Sequence, residues 1–530
     1  MLYTVVRILV IAACCTLAGL STMHTLQVQR YQIPALRKEL RRRGGWMHPE
    51  ILVAVAAAIV HWYLPILLSM VIQKEQVREN LCNYLVLALF ALAAVGIFLD
   101  RRRIPQKKDF ALTRRIARLI AAVFVLNLLA ALLLHVMALS PYLVIAALDY
   151  VVLLAAIIMR PIEDRINAGF YNAAQKKLAA TKGLVRIGIT GSYGKTETKM
   201  ILKTLLSEKY RVLATPPSYS SAMGISRVVN EQLSGKYQVF IAEMGAQQKG
   251  EIREMVKLVK PHYGILTCVG EAHVESFGSI EAIAQTKFEL IQGLKEKGKA
   301  FFGSDGSYGD RLYGLCKIEK YRAALGGEVS SYMRAEHVEM GVKGMRFELV
   351  CEDGDHAWVQ TRLLGSYTAR NIALAAAVAK KMGLTMEEIA QGIEKLKPMR
   401  HHLQLVPGEI AVIDDSENTL PEPAAEALHV LSEFPGRRIL VTAGLTEVEV
   451  NPVDKNFAFG TQIAGCADYV ILIGPEETRA VMRGLTSMNF PKSSIRMVRD
   501  EEDAAALVKE LAQKGDSVLY EGIYPEEEYE

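Results

Sequence analysis

Five long apolar segments lie before residue 160, and they constrain the fold more than any other feature of the sequence. They lie near residues 3–22, 51–72, 81–99, 117–139 and 142–159. A helix rises roughly 1.5 Å per residue, so each segment is long enough to cross a hydrocarbon core of about 30 Å. The sequence therefore predicts an N-terminal bundle of about five transmembrane helices.

The charges of the connecting segments predict how these helices are oriented. Basic stretches follow the first and third segments, "RKELRRRGG" and "RRRIPQKKDFALTRR", whereas "QKEQVREN" after the second is close to neutral. Loops rich in Lys and Arg stay on the cytoplasmic side of a membrane. We therefore expect a multi-pass protein of the cytoplasmic membrane, with its N-terminus outside and everything after Arg160 in the cytoplasm.

Composition argues against several other classes of protein. A net charge of +5 over 530 residues is small, so the sequence predicts no nucleic-acid partner. The seven cysteines form no C-x-x-C pair and have no metal-finger spacing. This pattern predicts reduced thiols without a disulfide or zinc framework, as expected for a cytosolic working part.

A glycine-rich turn, "GITGSYGKTETK", lies between the apolar run "LVRI" and a helical pattern. In that context backbone N–H groups and the helix N-terminus can surround phosphate oxygens. Lys195 supplies a point charge for the β- and γ-phosphates, and Thr196 supplies a hydroxyl for Mg²⁺. Ile189 stands where the strict P-loop pattern has Gly, so T-G-x-x-G-K-T describes the motif better. The predicted nucleotide-binding residues are Gly191, Ser192, Gly194, Lys195 and Thr196.

Three further candidates follow this turn along the chain. Glu243 ends the apolar run "YQVFIAEMGA", a position where carboxylates often hold Mg²⁺ at a sheet edge. His273 lies in the loop of "HYGILTCVGEAHVESFGS", and Lys287 lies on the amphipathic stretch "IEAIAQTKFELIQGL". Each residue also has a purely structural explanation: Glu243 as a helix cap, His273 as a surface loop residue and Lys287 as part of a solvated helix face. Their order after a phosphate loop favours a common site.

These strings, with "GSYTARNIALAAAVA" and "VIDDSENTLPEPAAEALHVL", resemble the Mur ligase family. The resemblance is greatest to the branch that adds D-alanyl-D-alanine to a muramyl peptide, and it covers about two-thirds of the chain. It implies an α/β fold, with a P-loop central domain and a Rossmann-like C-terminal domain behind the helices. It also implies an ATP- and Mg²⁺-dependent amide ligase, in which a carboxylate takes the γ-phosphate and an amine then displaces phosphate.

The resemblance also implies roles for the candidate residues. Lys195 and Thr196 would hold phosphate and Mg²⁺, and Glu243 and His273 would be metal ligands or partners of those ligands. Lys287 is where the family often carries a carbamylated lysine that braces the metal. These four groups, Lys195, Glu243, His273 and Lys287, are the predicted catalytic residues, and Thr196, Glu243 and His273 are the predicted metal ligands.

The C-terminal side of the site is implied in the same way. Asn371 would contact the nucleotide base, and Asp414 or Asp415 would serve the C-terminal domain's side of the cleft. The expected domains are a transmembrane region (1–160), a linker (161–183), a central ATP-binding domain (184–398) and a C-terminal domain (399–530).

Five positions depart from the family pattern. Tyr367 and Thr368 replace a His-Asn pair, Glu417 replaces an aromatic residue, and Leu420 replaces an Asn. His402 replaces an arginine that normally opens the C-terminal domain. Losing a permanent cation that contacts phosphate costs on the order of 3 kcal/mol, roughly a hundredfold in rate. The sequence therefore leaves open whether the C-terminal half of the site supports full activity.

Soluble members of the family carry a UDP-sugar-binding domain before the phosphate loop, where this chain has apolar segments. We therefore expect a carboxylate acceptor presented at the lipid bilayer, such as a lipid-linked muramyl peptide, which receives an amino acid or dipeptide. Two alternatives stay open. One is a membrane-attached ligase of the poly-γ-glutamate type, and the other is a catalytically impaired, nucleotide-binding scaffold of cell-wall synthesis.

Overall fold

The computed structural model describes residues 2–29, 31–43, 49–102, 110–327, 329–406, 408–446, 448, 450–475 and 477–523. The chain divides into two compact units, Met1–Gly169 and Phe170–Glu530. Parts of the two basic stretches used to predict orientation, residues 44–48 and 103–109, lie outside the described residues.

Helices build the first unit. Seven α-helices run through its described residues: α1 (Leu2–Ala18), α2 (Leu20–Val28), α3 (Ile33–Arg43), α4 (Pro49–Ser69), α5 (Glu75–Arg102), α6 (Arg114–Val136) and α7 (Leu148–Ala180), with a 3₁₀ turn at Pro141–Ala147. Five helical stretches are long and apolar enough to cross a membrane: Tyr3–Val28, Pro49–Ser69, Glu75–Arg102, Arg114–Val136 and Pro141–Ala180. The five predicted apolar segments are thus confirmed as helices of this kind. Helix α7 continues through most of the predicted linker, residues 161–183.

A small polar cluster lies inside this apolar bundle. The Arg101 guanidinium donates to Asp149 Oδ1 at 2.8 Å and also forms an ion pair with Glu50. The hydroxyl of Thr22 donates to the same Asp149 oxygen at 2.5 Å. A charge in an apolar bundle is expensive unless it is paired. Asp149, in the first turn of α7, therefore has its counter-charge on α5.

The second unit begins with a nine-stranded sheet. Its strands are β1 (Val185–Thr190), β2 (Val212–Ala214), β3 (Val239–Glu243), β4 (Tyr263–Leu266), β5 (Lys299–Gly303), β6 (Glu319–Leu325), β7 (Met333–Gly341), β8 (Gly344–Cys351) and β9 (His356–Thr361). The spatial order is β2-β3-β1-β4-β5-β6-β7-β8-β9. Strands β1 to β6 pair in parallel, as do β6 and β7, whereas β7-β8 and β8-β9 pair antiparallel.

Eight α-helices accompany these strands: α8 (Lys195–Ser207), α9 (Ala222–Gln232), α10 (Glu251–Val259), α11 (Val274–Phe277), α12 (Ile280–Gln292), α13 (Tyr308–Leu315), α14 (Ser366–Lys381) and α15 (Met386–Glu394). Strand β3 is buried at every residue, because helices cover both faces of a parallel sheet. Strand β1 is the third strand of the sheet, between β3 and β4, so the glycine-rich loop after it emerges between two parallel neighbours and not at an edge.

A second, six-stranded sheet follows. Its strands are β10 (Gln404–Val406), β11 (Ala411–Asp415), β12 (Arg438–Thr442), β13 (Tyr469–Ile473), β14 (Ile495–Val498) and β15 (Ser517–Glu521), in the order β10-β11-β15-β12-β13-β14. Only the β10-β11 pair is antiparallel among the described strand pairs of this sheet. Its α-helices are α16 (Pro421–Ser432), α17 (Pro452–Cys466), α18 (Thr478–Ser487) and α19 (Glu501–Leu511). The two α/β domains implied by the resemblance are therefore both present.

Candidate functional site

The loop between β1 and α8 has the backbone that a phosphate-binding turn requires. Gly194 has φ 72°, in the left-handed region that favours glycine. A Cβ at Gly191 would lie 1.9 Å from Thr267 Oγ1, and one at Gly194 would lie 2.7 Å from Asn371 Nδ2. The Ser192 amide donates to Cys268 O at 2.9 Å, which fixes the loop to the end of β4. Neither glycine can therefore be replaced without moving a neighbour.

Lys195 begins α8 and is held against the loop. Its Nζ donates to the carbonyl of Ser192 at 2.7 Å. Burial lowers the pKa of Lys195, and the nearby Glu243 carboxylate partly opposes that shift. The ammonium thus lies against the glycine-rich turn at the start of α8, the part of a helix that favours an anionic phosphate.

Thr196 and Glu243 are in direct contact. The Thr196 hydroxyl lies 3.0 Å from each carboxylate oxygen of Glu243, and Lys199 Nζ lies 2.6 Å from Glu243 Oε2. A hydroxyl and a carboxylate are oxygen donors of the kind Mg²⁺ prefers when substrate phosphates and water complete its coordination. No group of three or more His, Cys, Asp or Glu side chains suited to a metal occurs within the described ranges. The donors present fit a nucleotide-associated Mg²⁺ and do not form an all-protein metal cage.

The other two predicted metal-associated residues lie on neighbouring segments. His273 is exposed in the loop after β4, with φ 60°, and precedes α11. Lys287 lies on α12 and is 3% exposed. Burial and the positive charge of Lys195 lower the pKa of Lys287 to about 7. Lys287 is therefore a buried amine beside the phosphate loop and not part of a solvated face.

Asn371 is held beside the loop by Glu197, a residue of α8 that no sequence motif indicated as a candidate. Its Nδ2 donates to Glu197 Oε2 at 2.6 Å, and Thr368 Oγ1 donates to Glu197 Oε1 at 2.7 Å. Burial raises the pKa of Glu197, while these two donors lower it. The carboxyl group thus joins the first turn of α8 to α14. Glu197 and Lys199 both lie within the first turns after the glycine loop, and that position is the signal that would have identified them.

Asp414 and Asp415 end β11 and are both fully buried. Asp414 Oδ2 lies 2.9 Å from His401 Nδ1, and Asp415 Oδ1 accepts a hydrogen bond from the Leu403 amide at 2.8 Å. Burial raises the pKa of Asp415 to about 7 and raises that of its neighbour Glu521 well above the usual range. Through their bonds to His401 and Leu403, Asp414 and Asp415 anchor the segment that opens the C-terminal domain.

Two of the departures from the family pattern contact each other. His402 Nε2 lies 3.3 Å from Glu417 Oε2. Burial lowers the pKa of His402, and Glu417 partly opposes this effect. The two residues that stand in place of the family's arginine and aromatic residue thus form one histidine–carboxylate pair.

A cleft of about 920 Å³ is lined by residues of both α/β domains. Of the predicted site residues, Ser192, Gly194, Lys195, Thr196 and Asn371 line it, whereas Gly191, Glu243, His273, Lys287, Asp414 and Asp415 are not among its lining residues. Its lining includes Lys195 and Thr196 of the central domain, and His402, Glu417 and Glu422 of the C-terminal domain. The Tyr193 hydroxyl also donates to Glu422 Oε2 at 3.1 Å, which connects the phosphate loop with α16. The cleft therefore lies between the two domains, large enough for a nucleotide and part of an acceptor.

Comparison with known proteins agrees with this arrangement. Residues 189–379 match the Mur ligase middle domain, and residues 399–522 match the Mur ligase glutamate ligase domain. The UDP-N-acetylmuramoyl-tripeptide--D-alanyl-D-alanine ligase of Treponema pallidum is 31% identical over 343 residues, which are 64% of this chain and 72% of that protein. The chain belongs to the Mur ligase family.

Other relatives support the same family. The corresponding Bacillus subtilis ligase is 26% identical and is covered over 72% of its length by 63% of this chain. The MurF ligase of Thermotoga maritima, solved in complex with ADP, has a TM-score of 0.60 at 23% identity, over 67% of this chain and 80% of that one. MurF from Acinetobacter baumannii has a TM-score of 0.60 at 22% identity, over 67% and 77% of the two chains.

This Mur ligase is accordingly an ATP-dependent acid–amino-acid ligase, with the two α/β domains of the family and five apolar helices before them. Both family matches begin after residue 188, so the helices lie outside them.

Proposed function

We propose that this ligase adds an amino acid or dipeptide to a peptidoglycan precursor that is presented at the cytoplasmic face of the membrane. The observation that carries the proposal is the position of the five apolar helices directly before the ligase domains. Relatives named for D-alanyl-D-alanine addition support the reaction class. The helices support an acceptor carried on lipid, such as a lipid-linked muramyl peptide, because helices of this length and apolarity would anchor the chain in a bilayer.

In the proposed reaction the acceptor carboxylate attacks the γ-phosphorus of ATP, and the bond between that phosphorus and ADP breaks. Lys195 and the backbone N–H groups at the start of α8 stabilise the charge that develops on the transferred phosphoryl oxygens. The cleft between the domains excludes water from the acyl phosphate that forms. The amine then attacks the acyl carbon, the carbon–oxygen bond to phosphate breaks, and an amide results.

The proposal includes one Mg²⁺, held by Thr196 and Glu243 together with nucleotide phosphates. When bound, the ion neutralises charge on the transferring phosphoryl group. Lys199 pairs with Glu243 at 2.6 Å and so orients the carboxylate. In the proposal, His273 supports this site from the loop after β4, a carbamylated Lys287 braces it, Asn371 lies toward the base, and Asp414 and Asp415 hold the C-terminal wall.

The decisive experiment compares two acceptors for the full-length protein in detergent micelles. One is a lipid-linked muramyl tripeptide, and the other is the soluble UDP-linked muramyl tripeptide, each with ATP, Mg²⁺ and D-alanyl-D-alanine. The proposal predicts amide product from the lipid-linked acceptor. Product from the soluble acceptor alone would contradict a membrane-presented acceptor, and ATP turnover with glutamate alone would favour a polymer-forming ligase.

A further inference from the structure

His402 and Glu417 are poised for a task that neither the phosphate loop nor the metal donors perform. Before an amine can attack an acyl phosphate it must lose a proton, because an ammonium group has no lone pair. Lys195, Thr196 and Glu243 all act on the phosphoryl group, and none of them is assigned to that proton. The C-terminal wall of the same cleft presents an imidazole, His402.

The geometry of the pair favours a proton acceptor. His402 Nε2 lies 3.3 Å from Glu417 Oε2, so a proton on Nε2 lies beside the carboxylate, which leaves the lone pair on Nδ1. No hydrogen bond to His402 Nδ1 forms in the part of the chain that the structure describes. A carboxylate behind one ring nitrogen fixes the tautomer and stabilises the imidazolium that forms when the other nitrogen takes a proton.

The backbone holds this imidazole in an unusual position. The residues on both sides of His402 have positive φ, 65° at His401 and 42° at Leu403. Such conformations persist only where surrounding contacts determine them, and they cluster at functional sites. Here the contacts are the Asp414–His401 and Asp415–Leu403 hydrogen bonds and one from the Glu417 amide to His401 O at 3.2 Å.

Electrostatics fits the neutral form that a base needs. Burial lowers the pKa of His402, the charge of His401 also lowers it, and Glu417 and Asp414 raise it. Arg400 lines the same cleft, so a permanent cation remains beside His402. The imidazole is therefore not needed as a replacement for the family's arginine.

We propose that His402, oriented by Glu417, is the general base that accepts the proton of the attacking amine in the second half-reaction. The proposal rests on the ligase function proposed above. The amine's proton moves to His402 Nδ1, the nitrogen lone pair forms the bond to the acyl carbon, and phosphate leaves with the electrons of the broken carbon–oxygen bond.

The test separates the two half-reactions of the full-length protein in micelles. Lipid-linked muramyl tripeptide, ATP and Mg²⁺ are supplied with either D-alanyl-D-alanine or hydroxylamine, which is largely unprotonated at neutral pH and traps an acyl phosphate as a hydroxamate. His402→Gln is expected to lower amide formation by about 100-fold or more while hydroxamate formation persists. Persistence of the hydroxamate also shows that the variant is folded.

Two further variants distinguish a base from a cation. His402→Arg supplies the family's charge and removes the base, so it is expected to behave as His402→Gln does. Glu417→Gln is expected to move the acid limb of the amide rate to lower pH and leave hydroxamate formation unchanged. The exposed His429 on α16 supplies the matched control, His429→Gln, which should match the wild type in both reactions.

The contrary outcomes are equally specific. If His402→Gln lowers both products together and His402→Arg restores them, His402 acts as a cation in phosphoryl transfer and the base role is wrong. If His402→Gln changes neither product, the role is also wrong. Absence of both products in the wild type would contradict the ligase function itself, and the base role would fall with it.

Discussion

Thr368 donates its hydroxyl hydrogen to Glu197 at 2.7 Å across 171 positions of the sequence. Asn371 donates to the other oxygen of the same carboxyl group at 2.6 Å. Thr368 is one of the departures from the family pattern, and here it stabilises the helix that follows the phosphate loop. An altered residue therefore contributes to the packing of α14 against α8, beside the predicted nucleotide site.

The first prediction concerns this contact. Thr368→Val keeps the shape of the side chain and leaves one buried oxygen of Glu197 without a donor, at a cost of about 1–3 kcal/mol. We expect a lower melting temperature of the protein in detergent and weaker ATP binding. Thr486→Val is the control, because Thr486 is exposed and donates only to its own helix, and a change within about 0.5 kcal/mol is expected. Equal losses in both variants would contradict the structural role of Thr368.

The second prediction concerns Lys287, whose pKa burial lowers to about 7. Between that value and the pKa of an unfolded lysine, about 10.4, the unfolded chain binds a proton that the folded chain does not. This contribution to stability therefore rises with pH through that window. In CO₂-free buffer, Lys287→Met should raise the free energy of unfolding at neutral pH by about 1 kcal/mol or more, and the gain should shrink toward about pH 10.

The same variant should lose ligase activity by about tenfold or more, because a methionine can neither react with CO₂ nor brace a metal. Thermal melting at about pH 7 and about pH 10 measures the first effect, and product formation with added bicarbonate measures the second. Lys295→Met, at an exposed position just after α12, should change neither. A variant as active as the wild type would show that Lys287 has no part in the metal site.

The third prediction concerns Asp415 and Glu521, which are paired in register on β11 and β15. Burial raises the pKa of both, that of Asp415 to about 7. The folded state therefore keeps protons that the unfolded chain releases from about pH 4 upward, and this stability is lost as the pH rises toward 7. Glu521→Gln should flatten the fall in melting temperature between about pH 5 and about pH 8. The exposed Glu510 supplies the control, Glu510→Gln, which should leave this fall unchanged. If the melting temperature of Glu521→Gln falls with pH as steeply as that of the wild type, the account of protons retained by Asp415 and Glu521 is wrong.

Local features of the site could be predicted from the sequence, whereas long-range contacts could not. The loop of Gly191 to Thr196 is predictable because its glycines, lysine and strand-to-helix setting lie within a dozen residues. The contact of Asn371 with Glu197 spans 174 positions, so it depends on how α14 packs against α8. The His402–Glu417 pair likewise depends on contact between two loops. The sequence alone shows only that an arginine and an aromatic residue of the family pattern are replaced at two separate positions.

The helices show the same division. Apolar length alone predicted the five stretches, because a span needs only enough hydrophobic residues. The continuation of α7 to Ala180 was not predicted, because its last turns have the polar composition typical of a linker. The roles of all the predicted site residues stay predictions, which include those of Lys195, Thr196, Glu243, Lys287, His273, Asn371, Asp414 and Asp415.

The central claim is that this Mur ligase uses ATP cleavage to form an amide on its acceptor. The most direct measurement is phosphate release by the full-length protein in detergent, with ATP, Mg²⁺ and D-alanyl-D-alanine, in the presence and absence of lipid-linked muramyl tripeptide. We predict acceptor-dependent release that falls about 100- to 1000-fold in Lys195→Ala and is unchanged in Lys203→Ala, an exposed position on the same helix. Nucleotide binding without acceptor-dependent release would contradict the claim.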